Sequence, residues 1–501
     1  MLAGALLLTL SLQASEACRA CHPAIVESYS RTGMGRSIQE RPAPLSGQFY
    51  HRLSNRHYTF TGGKLRRHQI DAQGQMVNVI EKRVDLGIGS GNHAVTYASR
   101  RTEQSQLIQL PVSWYRDRDG LAMSPGYDRP DHFDMRREIS DACLFCHAAY
   151  PADRTRPKSI DCERCHGPAS THLAKPGPGN VLNPKRLEPA RQLEVCLQCH
   201  LETVSQGIVD SMRRPGRAVF SYRPGEPLGS YKLYFDRADA PAERFEVNHA
   251  GYRLLHSACF RKSNGRLTCT TCHDPHTARA RNACGDCHST GHAKAETDCA
   301  GCHMPKRRTQ DAIHVTMTDH WIQTRPQFTN PERETQTPHS GQVTDFYTTA
   351  DPLTLSLVNV REPTAAGLEI YRRHLRRDAK DVATMAALGN AEFRLGRIEA
   401  ARKTLNAALQ AEPGHAGAGV TLGVLLATQG DHKAALAVFE KTRDRHPEHS
   451  LSWMNIGVTH QAMGNRAEAE TAYREAIRLQ PDFAEARQRL AALLAEPAQR
   501  P

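Results

Sequence analysis

The triplet of two cysteines and a histidine in the pattern Cys-x-x-Cys-His occurs seven times before residue 304. The copies are Cys18/Cys21/His22, Cys143/Cys146/His147, Cys162/Cys165/His166, Cys196/Cys199/His200, Cys269/Cys272/His273, Cys284/Cys287/His288 and Cys299/Cys302/His303. They use 14 of the chain's 15 cysteines. Composition alone would give roughly 0.02 such strings, so the pattern is not accidental. Two thiols at this spacing bond a porphyrin edge, and the adjoining imidazole takes the iron, which is the attachment chemistry of a c-type haem. Disulfide staples would not fix a histidine after every second cysteine. Zinc knuckles come as paired Cys-x-x-Cys units, and a thioredoxin-like site appears once beside a βαβ pattern. The expectation is seven covalently bound haems, with iron in each.

A second axial position on each iron decides between electron transfer and catalysis. Thirteen further histidines precede residue 340: His51, His57, His68, His93, His132, His172, His249, His256, His276, His292, His314, His320 and His339. Seven irons need at most seven of them, so counting alone identifies no open site.

The elements that carry these residues must be short. Cys143 and Cys162 are 19 residues apart, and Cys269, Cys284 and Cys299 follow one another at intervals of 15. So few residues leave no separate core around each haem, so the haems pack against one another and electrons hop along them. Between the first two motifs, period-two alternation and turn signals read as strands. Tyr58 to Thr61, a Gly62-Gly63 turn and Lys64 to Ile70 form a hairpin, followed by Met76 to Val84, Leu107 to Tyr115 and Leu121 to Ser124. Residues 45–130 are expected to be a small antiparallel β insertion that walls off a haem or serves as a docking face.

Beyond residue 360 the cysteines stop and a period of 34 begins. Gly389/Gly423/Gly457, Gly396/Gly430/Gly464, Ala401/Ala435/Ala469, Leu405/Phe439/Tyr473 and Pro413/Pro447/Pro481 hold one register through three copies. This resembles the tetratricopeptide repeat, an α-solenoid of paired helices, over residues 381–481. Residues 362–377 and 482–495 fit flanking helices, and residues 326–360 read as a linker or wrapping strap.

The haem region, in turn, resembles the multihaem cytochromes c with doubled CxxCH motifs, related to the tetrahaem cytochromes that serve hydroxylamine oxidoreductase. The likeness rests on Cys162 to His172, Cys269 to His276, Cys284 to His292 and Cys299 to Lys306, followed by His314 and Thr318-Asp319-His320. In that family a histidine shortly after one motif ligates the iron of another haem. The resemblance therefore implies sixth ligands at His172, His276 and His292, then at His249, His314 and His320. It also places Met34, after Tyr29-Ser30, where the family often carries a ligating histidine. A thioether there would raise the potential of the first haem, and simple packing of a flexible side chain is the competing reading.

The expected fold class is mainly α, as a multihaem cytochrome c (residues 18–325) with a β insertion and a repeat solenoid (361–496). Residues 1–17 read as an export signal, with a retained anchor as the alternative, which places the protein in the periplasm or on the cell surface. The formal charge of +12 falls to about +5 if each haem contributes about −1, so nucleic acid need not be a partner. The function expected is electron transfer between redox partner proteins of a respiratory chain, with the repeats docking a protein or peptide. The alternative is an oxidoreductase acting on a small nitrogen or sulfur compound at one open haem. Against it, no Cys-x-x-Cys-Lys variant and no acid–base constellation is present. A third reading makes the repeats the functional part and the haem region a redox tether.

Overall fold

The computed structural model describes residues 14–495, apart from residue 41 and the segments 43–45, 102–105, 151–155, 204–207, 240–242, 289–297 and 335–340. The export signal therefore lies almost wholly outside the described residues, as do His292 and His339. Among the described residues no helix is long and apolar enough to cross a membrane.

Nine strands follow the first motif: β1 (Ile38–Glu40), β2 (Gly47–His51), β3 (Arg56–Thr61), β4 (Lys64–Ile70), β5 (Met76–Arg83), β6 (Leu86–Ile88), β7 (Ala94–Arg100), β8 (Leu107–Tyr115) and β9 (Gly120–Met123). They form two antiparallel sheets, ordered β2-β3-β4-β5 and β1-β6-β7-β8-β9. Alternation sends Arg56, Tyr58 and Phe60 of β3 inward. Tyr58, Phe60, Leu65 and Ile80 of one sheet meet Val95, Tyr97, Leu110, Val112 and Met123 of the other in one core. The β3–β4 hairpin turns on Gly62 and Gly63, both at positive φ, which suits the twist of a two-residue loop. The β region starts earlier than residue 45, because β1 joins the second sheet by pairing with β6.

The motif-bearing region is built from short helices: α1 (Ala14–Arg19), α2 (Pro23–Ser30), α3 (Asp141–His147), α4 (Glu163–His166), α5 (Ser170–Ala174), α6 (Pro189–His200), α7 (Ala250–His256), α8 (Ala258–Lys262), α9 (Cys269–Cys272) and α10 (Cys299–His303). Its own core is small and aromatic, around Phe145, Leu197, Tyr222, Tyr231, Tyr234 and Tyr252. Residues 326–360 are more strap than linker. Val343–Phe346 pairs antiparallel with Lys232–Arg237, and α11 (Pro352–Val358) follows.

Eight helices complete the chain: α12 (Ala365–Arg377), α13 (Val382–Arg394), α14 (Ile398–Ala411), α15 (Ala416–Thr428), α16 (His432–Arg445), α17 (Ser450–Ala462), α18 (Arg466–Leu479) and α19 (Ala484–Ala495). The repeat columns touch one another. A β-carbon on Gly389, Gly423 or Gly457 would come within 2.4–2.7 Å of Leu405, Phe439 or Tyr473 respectively, so each glycine is the hole for the large residue of the paired helix. Gly396, Gly430 and Gly464 turn the chain between paired helices at φ of +71°, +80° and +78°.

The repeats dock edge-on against the β sandwich. Leu479 enters the sandwich core and Trp453 packs on it. Arg56 pairs with Asp482 at 2.7 Å, and Arg67 donates to the carbonyls of Arg478 and Leu479. Asp134, 1% exposed, anchors both arginines, with Arg67 at 2.7 Å and Arg56 at 3.6 Å. Glu448 takes Lys82 and Arg101 at 2.8 Å each, and Glu138 takes Arg101 at 2.6 Å and His446 at 2.7 Å. The β insertion thus offers its docking face to the chain's own repeats.

Asp134→Ala leaves two buried guanidinium groups without their shared carboxylate and should cost about 3–5 kcal/mol in denaturant unfolding; a loss below about 1 kcal/mol would contradict this account of the interface. The Glu138–His446 pair also sets a pH window. Burial would push Glu138 up, but the His446 hydrogen bond and the Arg101 charge bring it down to about 2. Burial would pull His446 down, but Glu138 and the Gly414 carbonyl outweigh it and hold it above its usual value. The Glu138 contribution is complete above about 4.5 and lost as pH falls towards 2; that of His446 is complete below about 6.5 and lost at higher pH. Stability from this pair therefore peaks between those values, and Glu138→Gln should flatten the difference measured between about pH 5.5 and about pH 8.

Candidate metal centres

One helical turn explains why each motif works as a unit. The first cysteine and the histidine are four residues apart and share a face. The backbone N–H groups of His22, His166 and His288 donate to the carbonyls of Cys18, Cys162 and Cys284, each at 2.9 Å. The motifs sit on α1 and the turn after it, on α3, α4, α6, α9 and α10, and on a 3-10 turn at Cys284–Asp286.

Three motif histidines face a second imidazole across a gap. His22 faces His172 at 6.4 Å between ring centres with planes 15° apart, and His166 faces His276 at 6.0 Å and 17°. His273 faces His320 at 6.1 Å and 31°. Iron bonded at about 2 Å to a nitrogen of each ring, whose centre lies about 1.1 Å behind that nitrogen, would hold the centres about 6.2 Å apart. The residues present therefore fit an iron between each pair. Two imidazoles are an incomplete set for zinc, whereas a porphyrin brings four equatorial nitrogens and requires only these two axial ones.

One ring of each pair is also aimed. His172 Nδ1 lies 3.1 Å from the Gly177 carbonyl, His166 Nδ1 2.8 Å from that of Leu182 and His320 Nδ1 3.0 Å from that of Thr318. A proton held on Nδ1 leaves Nε2 as the free lone pair. His303 is held likewise by the Gln323 carbonyl at 2.7 Å. Burial holds His147, His273, His276 and His320 below the usual imidazole value, keeping them in the neutral, metal-binding form.

The remaining candidates differ. His249 is fully buried, and neither ring nitrogen has a hydrogen-bond partner; Glu246 is the nearest charge at 3.6 Å. An orphaned buried imidazole is what a missing metal would leave. His314 is instead held by the β sandwich, with Arg118 at 3.3 Å from Nδ1, Asp128 at 3.8 Å from Nε2 and its ring on Tyr115. Met34 is half-buried in the turn after α2, and the ring opposite His22 is that of His172. His292 lies outside the described residues. His256, not singled out from sequence, carries the same anchoring, with Nδ1 2.8 Å from the Tyr252 carbonyl. No motif closely precedes it, so the signal of a histidine shortly after a motif does not mark it.

Cysteines of different motifs lie side by side. Cys18 is within hydrogen-bonding reach of Cys162, Cys146 of Cys199, Cys196 of Cys269 and Cys284 of Cys299. Attachment edges from neighbouring motifs are thus adjacent in space, though not always in sequence.

Exposure differs among the motif cysteines. Cys21, Cys143, Cys287, Cys299 and Cys302 are exposed, whereas Cys146, Cys165, Cys199 and Cys272 are partly covered. A porphyrin edge bonded to the exposed thiols would meet solvent.

Comparison with known proteins speaks to the solenoid. Residues 386–450 and 426–495 each match a tetratricopeptide-repeat family. No curated protein matches the chain. Among solved structures, it is similar to a crystal structure of MamA at 21% identity, covering 25% of this chain and 74% of that one with a TM-score of 0.24. A thermophilic tetratricopeptide-repeat protein of Thermus thermophilus, TTC0263, shares 20% identity over 26% of this chain and 73% of its own, with a TM-score of 0.25. The first repeat domain of Spaghetti (RPAP3), bound to an HSP90 peptide, shares 16% over 23% and 93%, with a TM-score of 0.23. Residues 386–495 are tetratricopeptide repeats.

Proposed function

We propose that this protein is an exported multihaem c-type cytochrome that passes electrons along seven haems, while its repeats position it against a partner protein. The observation that carries the reading is the set of imidazole pairs with ring centres 6.0–6.4 Å apart, the two rings of each coming from different parts of the chain. When bound, each haem supplies an iron that takes up and releases one electron.

The chain's residues do the rest. The fourteen motif cysteines fix the porphyrin edges, and the seven motif histidines hold one axial position. His172, His276 and His320 serve as the opposite ligands of the first, third and fifth haems, so His172 rather than Met34 completes the first. His249 is the candidate for one of the four others. The Leu182, Gly177 and Thr318 carbonyls hold ring orientation by keeping the proton on Nδ1. Axial positions filled on both sides favour electron transfer over substrate binding at these three irons. The solvent-facing thiols Cys21, Cys143, Cys287, Cys299 and Cys302 suit haems that exchange electrons with a partner, since transfer between proteins needs an edge at the surface. Covalent attachment of haem takes place outside the bacterial cytoplasm, which supports export to the periplasm or the cell surface. The partner is a redox protein of a respiratory chain, and protein or peptide recognition by the repeats suits that role.

The purified exported protein should weigh more than its polypeptide by seven haems; a colourless product of bare polypeptide mass would end the reading. In ferric protein, His172→Ala should convert one low-spin electron-spin-resonance signal of seven to high spin with the mass of bound haem unchanged. If the spectrum stays as in the parent, His172 is not an iron ligand.

A further inference from the structure

Three of the motifs interlock through residues between their cysteines, positions that attachment chemistry leaves unconstrained. Arg164 stands between Cys162 and Cys165 and is 1% exposed. Its guanidinium carbon lies 4.4 Å from the ring centre of Phe145, which stands between Cys143 and Cys146, and 4.1 Å from that of Tyr150. Arg164 Nη2 donates to the Phe145 carbonyl and reaches Cys199 Sγ at 3.5 Å. Gln198, between Cys196 and Cys199, donates from Nε2 to the Arg164 carbonyl at 3.1 Å. One cation is thus pinned among the second, third and fourth motifs.

What compensates that cation is the Cys199 sulfur and Tyr150 rather than a carboxylate. Arg164 Nε and Nη1 are buried without a hydrogen-bond partner, and it forms no ion pair with a carboxylate of the described residues. Asp161, itself buried, feels its charge through space. Two aromatic faces offset part of the desolvation cost, and an unpaired charge at such a place still needs a reason. Lysine could not replace this geometry, since only a planar guanidinium fits between two rings while donating sideways.

We infer that Arg164 is a positioning residue for charge, raising the reduction potentials of the haems carried by the second, third and fourth motifs. This rests on the haem reading above. A ferric haem that gains one electron loses one positive charge, so a fixed cation in a low-dielectric interior favours the ferrous form. The attachment edge of the fourth haem is the nearest, because Cys199 Sγ touches the guanidinium.

The test is a potentiometric titration of the full-length holoprotein, reduced stepwise with dithionite and followed by haem absorption. In Arg164→Gln, with haem content verified by mass, up to three of the seven steps should move to lower potential while the rest stay. Arg164→Lys, which keeps the charge and loses the fork, should restore most of the shift. A Gln titration that superimposes on the parent overturns the inference, as do equal shifts in Gln and Lys, which would assign Arg164 to packing alone. Should Arg164→Gln fail to fold, Arg164→Lys still decides: near-parental potentials agree with a charge effect, and a large downward shift with the charge retained counts against it. Protein that carries no haem would instead remove the underlying reading.

Discussion

Imidazole rings whose centres lie about 6 Å apart neither touch nor leave room for a side chain between them. On the haem reading a metal bridge would fill that gap, and its reach along the chain would be long. His22 and His172 are about 150 residues apart, His166 and His276 about 110, and His273 and His320 about 47. Each bridge would therefore close a large loop and remove unfolded-state entropy much as a disulfide does. The motif region has only a small aromatic core, and helices of four to seven residues cannot persist alone in water. On the haem reading, cross-links from thiol to porphyrin to imidazole would supply what apolar burial does not.

A different kind of cross-link secures the remainder. The β sandwich and the repeats share Leu479 as a core residue, and around it the contacts are charged: Asp134 with Arg56 and Arg67, Glu448 with Lys82 and Arg101. Pairs this buried add little net stability over apolar substitutes, yet they punish misregistration, because a one-residue slip leaves a charge alone. The turns at residues 445–450 and 478–482 are consequently fixed in place relative to the sandwich. A partner held by the repeats would be held at a defined position with respect to the whole molecule.

What the sequence made legible follows from range. The motifs and the repeat columns are local: four residues make one helical turn, and Gly423 meets Phe439 only 16 residues on. The β3–β4 hairpin and β8 are equally local, readable from alternation and two glycines. Pairing at long range was not readable. Strand Val343–Phe346 has four residues and no alternation of its own, and becomes a strand only because Lys232–Arg237 lies beside it. The same holds for the imidazole pairs. The family resemblance implied His172 and His276 first and put His320 on a level with His314, yet His314 lies against Asp128 and Arg118 beside the sandwich. Nor does the motif itself tell a covered thiol such as Cys199 from a solvent-facing one such as Cys302, since the cover comes from elsewhere in the chain.

Order in space also differs from order in sequence, and this bears on how the β insertion is tolerated. It separates the first motif from the second by more than a hundred residues. The first motif nevertheless abuts the third through Cys18 and Cys162, and Tyr29 of α2 donates to the Ile160 carbonyl at 3.0 Å. The second abuts the fourth, the fourth the fifth and the sixth the seventh, while Arg164 joins the third to the second and fourth. The insertion thus leaves the first five attachment sites contiguous, because it loops out from a junction made by other residues. On the haem reading, the sandwich and repeats could be added to such a chain without interrupting the route of the electrons.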